Sequence, residues 1–494
     1  MKLTYLDWAI VIAYLVLMLC LGYYSSKKNK TADDYLLGGK SMNPFMIGIS
    51  LFATLFSTLS YLSYPGEMIK YGPVFLAGIL AFPVASWIVG KFLIPKFMHL
   101  RVKSAYEILE INLGMNTRRL AVLFFLSLRL LWMTTIIYAT VDTAFVPIFN
   151  LDRSLVPLIS IALSLLTIIY TTMGGLNAVV KTDVAQSIIM FLGLIITIIF
   201  ILIQLGSVQP IFDPAIYSHW DPVEFKINPI KRMTIGNIFI MTLVWQVCTA
   251  GSDQLAIQRY LSTKDVKTAK KSYNISLWGS TLIQILLAIT GLCVMTYFTY
   301  NPTEMEGGGT IFEKADALFP LFIRVGLPTG LTGLIAAAIL AAAMSSLSSG
   351  LNSSSAVISE EIRHRKKNKK NTSDSSDLKF IKKISVIIGI IVALFSFFIP
   401  FITGNLFDVI QKVVNLVVAP LFVLFFMALF VPFATDRATA LAGIFSLIIA
   451  VFIAFFEIFG ISSLWIMTLS LLGGVMFGVV FSYIEVKITS KNNK

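Results

Sequence analysis

Charge is what this chain has least of. Of its 494 residues only 13% are Asp, Glu, Lys or Arg, against 57% hydrophobic, whereas a soluble domain carries about a quarter charged. With a mean hydropathy of +0.83, that imbalance excludes an ordinary water-soluble fold and makes length a poor guide to domain number. Histidine is almost missing: His99, His219 and His364 are too scattered for a metal centre or a catalytic triad. Cysteine is equally sparse. Cys20, Cys248 and Cys293 lie in or beside apolar stretches, which argues against a disulfide framework. No nucleophile–base constellation stands out, so an enzyme is not expected. Gly39-Lys40-Ser41 ends like a phosphate-binding loop, but Asp34 stands where its first glycine is needed.

What is present is long apolar runs. About 20 residues cross roughly 30 Å of hydrocarbon, and thirteen candidate spans fall near 6–25, 45–68, 74–94, 120–148, 155–173, 183–205, 234–252, 276–299, 331–357, 380–402, 406–431, 439–459 and 463–486. The expected fold class is an all-α integral membrane protein. The first run is long and a positive loop follows it, so it is expected to stay as an anchor rather than be cleaved. A formal charge of +13 would suggest nucleic acid in a soluble protein, but here the basic residues sort into alternate loops. They follow the first span (Lys27, Lys28, Lys30), the third (Arg101, Lys103, Arg118, Arg119), the fifth (Lys181), the seventh (Arg259, Lys264, Lys267) and the ninth (Arg363, Arg365, Lys366). The positive-inside rule then predicts a plasma-membrane protein with an outside N-terminus and a cytoplasmic C-terminus, as an odd number of spans requires. Loop 206–233 departs from the pattern with Lys226, Lys231 and Arg232, and the basic stretch 358–380 is expected to be a solvated cytoplasmic loop.

Three segments carry the chemistry. AAAILAAAMSSLSSGLNSSS, from Ala336 to Ser355, is an uncharged run of small residues with hydroxyls at Ser345, Ser346, Ser348 and Ser349. Small residues let helices approach closely, and hydroxyl and carbonyl oxygens suit a dehydrated hard cation. The second span, SLFATLFSTLSYLSYPGE (50–67), is interrupted by hydroxyls and expected to end at Pro65-Gly66. An unwound stretch in it would free carbonyl oxygens for a cation; the competing reading is a helix whose hydroxyls bond back to their own carbonyls. Asp183, in YTTMGGLNAVVKTDVAQ (170–186), lies at the basic entrance of the sixth span, either paired with Lys181 or facing the same site. Arg129 is eleven residues beyond Arg118, about 16 Å into the bilayer. It is a candidate contact for an anionic solute or one half of a structural pair.

Taken together these residues resemble the sodium:solute symporter family. TADDYLLGGK (31–40), SLFATLFS (50–57), KSAYEILE (103–110), MGGLNAVVKTDVAQ (173–186), QRYLSTKD (258–265) and GLIAAAILAAAMSSLSSGLNS (333–353) fall in that family's order. The resemblance implies an inverted five-plus-five helix repeat with a broken first core helix. One span and its loop (1–42) would precede the repeats, which cover 43–205 and 206–431, and two C-terminal spans (432–494) would follow. It implies a common sodium site on carbonyls of Ala53, Phe56 and Ala342 and hydroxyls of Ser345 and Ser346. A second sodium site would use Asp183, Ser345, Ser348 and Ser349, giving two ions per cycle. Ser57 and Ser60 keep hydroxyls at substrate positions, whereas Leu55, Ile79 and Trp132 stand where a sialic-acid transporter has Thr, Gln and a carboxylate-binding Arg. Arg129 lies one helical turn from that Arg position, and Gln246 is a further candidate contact.

The function so implied is sodium-driven import of a small organic solute by alternating access. An organic anion such as sialic acid or a monocarboxylate is expected, with a neutral sugar as the alternative. Sodium is the coupling ion and no other cofactor is expected. The expected partners are the solute, sodium and the lipid bilayer, with no nucleic acid and no obligate protein partner. A solute sensor and a passive channel are the rivals from other classes. A sensor would need a signalling domain that no loop is long enough to form, and accumulation against a gradient would exclude a channel.

Overall fold

The structure, a computed structural model, describes residues 4–27, 31–38, 42–99, 104–305, 310–365, 374–397, 406–456 and 458–492, and every regular element among them is helical. Hydrocarbon cannot hydrogen-bond to a peptide group, so a spanning segment must satisfy its own backbone. The chain opens with α1 (Tyr5–Ser26) and the short α2 (Ala32–Leu37). Next, α3 (Pro44–Leu55) and α4 (Thr58–Tyr71) form one span broken at Phe56 and Ser57, whose backbone is extended (φ −102°, ψ 100° and φ −99°, ψ 173°). The sequence reading ended this span at Pro65-Gly66. Instead both residues lie inside α4. One lost ladder bond is tolerated in a packed bundle, and Gly291 lies so close that a Cβ there would come within 2.6 Å of the Pro65 carbonyl oxygen.

Gly72 (φ 71°) ends α4, and the chain returns through a 3₁₀ helix (Gly72–Ala81), α5 (Phe82–Ile88), a π turn (Val89–Leu93) and α6 (Ile94–His99). The short α7 (Glu107–Asn112) leads into α8 (Met115–Tyr138), which passes through a π turn (Ala139–Phe145) into α9 (Val146–Phe149). The 50 residues of α10 (Val156–Leu205) would reach about 75 Å if straight, more than twice the hydrocarbon thickness. They do not run straight. Gly175 has φ 55° and ψ −153°. Asn150, just before α10, accepts from Arg324 at 3.2 Å, and Gln204, at the far end of α10, donates to the carbonyl of nearby Gly326 at 2.8 Å, so both ends of α10 lie together. The chain therefore folds back at Gly175, giving the two separate spans expected at 155–173 and 183–205.

The second half repeats the plan. It comprises α11 (Ile235–Ser252), a break at Asp253 (φ −83°, ψ 123°), α12 (Gln254–Leu261), α13 (Val266–Tyr300), α14 (Ala315–Val325), α15 (Leu331–Arg365), α16 (Asp374–Phe395), α17 (Leu406–Phe430), α18 (Asp436–Phe456) and α19 (Ile466–Asn492). Ten helical runs among the described residues are long and apolar enough to cross a membrane. Two of these, Thr58–His99 and Arg153–Leu205, each hold two crossings, and α16 adds another, which accounts for the thirteen spans. Two expected boundaries shift. Arg259 is not in a loop but buried in α12. The supposed loop 358–380 is helical up to Arg365 and again from Asp374, with residues 366–373 outside the described set.

The bundle has two chemically distinct ends. At one, which bears the basic loops, buried Arg118 pairs with Glu110 and Glu361, and Asp436 accepts from the Thr117 amide at 2.8 Å. At the other, Asp7 accepts from the amides of Gly330 and Gly333 at 2.8 and 2.9 Å, an anion on the N-terminus of α15, and Arg232 reaches Glu67 at 3.0 Å. Between these ends α15 is buried on all sides, with every residue from Ile335 to Val357 inaccessible. That explains the small-residue run: it is the post around which the other helices pack.

Candidate functional site

The break at Phe56–Ser57 sets up the site. A helix interrupted there no longer returns the amides of residues 57–60 to the carbonyls of 53–56, so those oxygens are free to face a neighbour. The neighbour is α15. Ser345 Oγ donates to Ala53 O at 2.7 Å and lies 3.4 Å from Ala342 O, while Ser346 Oγ donates to Thr54 O at 3.1 Å. Of the oxygens expected at a common sodium site, those of Ala53, Ala342 and Ser345 thus meet directly. Ser346 lies alongside, and Phe56 supplies the adjoining residue of the break. Two carbonyls and two hydroxyls between two helices are a fitting donor set for a hard monovalent cation.

Nearer the basic end lies a second cluster. Asp183 is fully buried, with Oδ2 accepting from Ser50 Oγ at 2.5 Å and Oδ1 left without a protein partner. Its cationic neighbour is Arg259, not Lys181: Arg259 Nη2 is 3.4 Å from Asp183 Oδ2, whereas Lys181 lies beside Ser25 and over the Tyr24 ring. Ser349 Oγ sits 2.7 Å from Thr54 Oγ1, and Ser348 Oγ donates to Ser345 O at 3.0 Å. Asp183 and the four α15 hydroxyls therefore occupy one connected region. Arg259 was missed from sequence because it sits in a basic run beside Lys264 and Lys267. Its signal was the QR pair immediately before an apolar tyrosine and leucine.

Towards the other end a cavity of about 1040 Å³, mouth included, opens between α4, α8, α11, α13 and α17. Ser60, Trp132 and Gln246 line it, as does Leu55. Ser57 and Arg129 do not. Phe52, Phe56, Tyr64 and Phe75 form its aromatic wall, and Gln246, Gln284, Gln411 and Asn415 supply amides, of which the last three were not expected. No lining residue carries a charge. The indole Nε1 of Trp132 is buried without a protein acceptor. Arg129 is turned to a structural task. Its Nη2 is 2.7 Å from Asp253 Oδ2 at the break between α11 and α12, both side chains are buried, and its guanidinium lies 5.8 Å from the Trp132 ring centre. Asp253 attracted no notice in the sequence, because a single acid after a long apolar run also reads as a loop residue.

The whole arrangement, a broken helix against a hydroxyl-bearing post with a cavity above it, can now be compared with known proteins. Residues 35–449 match the family described as "Sodium:solute symporter family". The chain belongs to that family. It is 32% identical over 372 residues to the sodium/sialic acid symporter SiaT of Proteus mirabilis, covering 73% of this chain and 72% of that protein. It is 28% identical to the sodium-coupled monocarboxylate transporter 1 of Xenopus laevis over 73% of this chain and 58% of that protein, spanning little more than half of the latter. A solved Na+-coupled sialic acid symporter, substrate-bound and outward-open, superimposes with a TM-score of 0.87 at 28% identity, over 97% of this chain and 98% of that one. This sodium:solute symporter is thus a multi-pass transporter with sodium as its coupling ion, and not an enzyme.

Proposed function

We propose that this symporter imports a small organic solute recognised through apolar contact and neutral hydrogen bonds, with two sodium ions per cycle. The observation that supports it is the uncharged cavity lining. A carboxylate moved from water into such a site without a cationic partner carries a large desolvation cost, and the nearest arginine, Arg129, is already neutralised by Asp253. A second reading, an organic anion such as a sialic acid or a monocarboxylate, is favoured by the likeness to SiaT and to the monocarboxylate transporter, and by the free Trp132 indole donor. In both, the first ion sits on Ala53, Phe56, Ala342, Ser345 and Ser346, and the second takes Asp183, Ser345, Ser348 and Ser349. Ser60, Trp132 and Gln246 contact the solute. Ser57 and Arg129 act behind the wall.

The basic end is taken as cytoplasmic, so the cavity faces outside while the lower half is sealed. Outside sodium joins α3 to α15, solute completes the cavity, and rocking of the bundle opens the other side. The electrical work is about 2.3 kcal/mol per charge at 100 mV, and a tenfold gradient adds about 1.4 kcal/mol. One sodium then supports roughly 500-fold accumulation of a neutral solute, and two roughly 10⁵-fold. The test is thermal stabilisation of the purified protein by sugars, sialic acids and monocarboxylates, in sodium and in choline. Sodium-dependent stabilisation by neutral solutes is expected. Stabilisation by carboxylates alone would establish the second reading, and equal stabilisation in choline would refute coupling.

A further inference from the structure

Arg259 stands where the second ion would. Its side chain is fully buried, and its Nη2 lies 2.5 Å from Thr54 Oγ1, 2.6 Å from Ser349 Oγ and 3.4 Å from Asp183 Oδ2, while Nε is 3.1 Å from Ser50 Oγ. These oxygens come from α3, α10 and α15, and the last two, through Asp183 and Ser349, are the elements that a second sodium would bridge. A guanidinium offers donors only and does not lose its proton in a protein, so it cannot make room for a cation by becoming neutral. Two positive charges a few ångströms apart in a buried site repel strongly, because the local dielectric is low. One must leave for the other to bind.

The guanidinium is carried by α12, buried along its whole length. It has only eight residues, hinged at Asp253, where the backbone is extended, and ended by the turn after Leu261. We propose that Arg259 is a tethered cation that competes with the second sodium for Asp183. When the ion reaches Asp183 the guanidinium is expelled and α12 is released from α3, α10 and α15. When the ion departs the guanidinium returns and seals the basic end again. Arg259 would thereby couple arrival of the second ion to opening of that end. The inference rests on the second-ion reading above.

The experiment is equilibrium binding of radioactive sodium to purified wild type, Arg259→Gln, Asp183→Asn and the double variant. Arg259→Gln is expected to bind the Asp183-dependent ion at least tenfold more tightly than wild type, and Asp183→Asn in the same chain to abolish that gain. Unchanged or weaker binding in Arg259→Gln, with two ions still bound by wild type, overturns the competition and leaves the second site standing. Absence of any Asp183-dependent ion in both proteins overturns the two together. Should Arg259→Gln fail to fold, amide hydrogen exchange across residues 254–261 of the wild type decides. Exchange that rises as sodium replaces choline is expected, and exchange that falls or stays constant overturns the proposal.

Discussion

Ser346 lies on the face of α15 that meets the broken helix, with its hydroxyl 3.1 Å from the Thr54 carbonyl. Alanine there removes an oxygen from the proposed first ion site and almost no volume. Ser346→Ala is therefore expected to raise the sodium concentration for half-maximal uptake at least tenfold with thermal stability nearly unchanged. Unaltered sodium dependence in proteoliposomes would remove Ser346 from the site. Arg129 demands the opposite signature. Breaking a buried ion pair by deleting one partner costs about 3–5 kcal/mol, because the other charge stays buried and alone. Arg129→Met should lower the melting temperature sharply, and adding Asp253→Asn should recover much of the loss while keeping an acceptor for the Leu255 amide, now 2.9 Å from Asp253 Oδ1. If Arg129 instead held a substrate carboxylate, the single variant would spare stability and abolish uptake of anions alone.

Elements here are shaped by where their ladders are interrupted. The turn at Gly175 needs φ 55°, and a Cβ there would lie 2.5 Å from the Tyr35 carbonyl oxygen. Left-handed backbone costs a residue with a side chain roughly 1–2 kcal/mol, before the clash with α2. Gly175→Ala should therefore lower the melting temperature by several degrees and disturb the packing of α2 on α10, read as faster proteolysis within residues 31–38. Normal stability and protection would mean that the fold-back does not depend on this glycine. The breaks at Phe56–Ser57 and Asp253 are the counterparts on the functional side. Each lies in the first crossing of a set of five, and we propose that these sets form the two inverted repeats of 43–205 and 206–431, since five is odd and the second set must start from the other face.

Across the molecule, the two ion pairs among the described residues with both partners buried, Arg129–Asp253 and Arg259–Asp183, lie on the basic side of the cavity, and the open space lies towards the other end. That asymmetry belongs to one stage of a transport cycle, with the path from the basic end closed. Once Cys20, Cys248 and Cys293 are replaced, a cysteine at Thr242, in the cavity wall, should react with a membrane-impermeant maleimide added outside in sodium and be shielded by bound solute. A cysteine at Ser355, buried in α15, should stay unreactive from both sides when choline replaces sodium. Reaction of the Ser355 position from the cytoplasm in choline would mean that the lower half is not sealed. Labelling of Thr242→Cys only from the cytoplasm would reverse the orientation drawn from the basic loops.

Spans, small-residue post and family were legible in the chain because hydropathy, residue size and contiguous motifs are local properties, carried by runs such as 336–355 whatever else surrounds them. Partnership was not. Nothing in the sequence could say that Asp183 would meet Arg259 rather than Lys181, two residues away, or that Arg129 would be claimed by Asp253, 124 positions along the chain. Nor does Pro65-Gly66 end the second span as the sequence suggested, since both residues lie inside α4, beyond the break at Phe56–Ser57. In a low-dielectric interior a charge is stable only beside its counter-charge, so tertiary packing, which brings distant helices to the same depth, decides which charges are structural and which remain free to act.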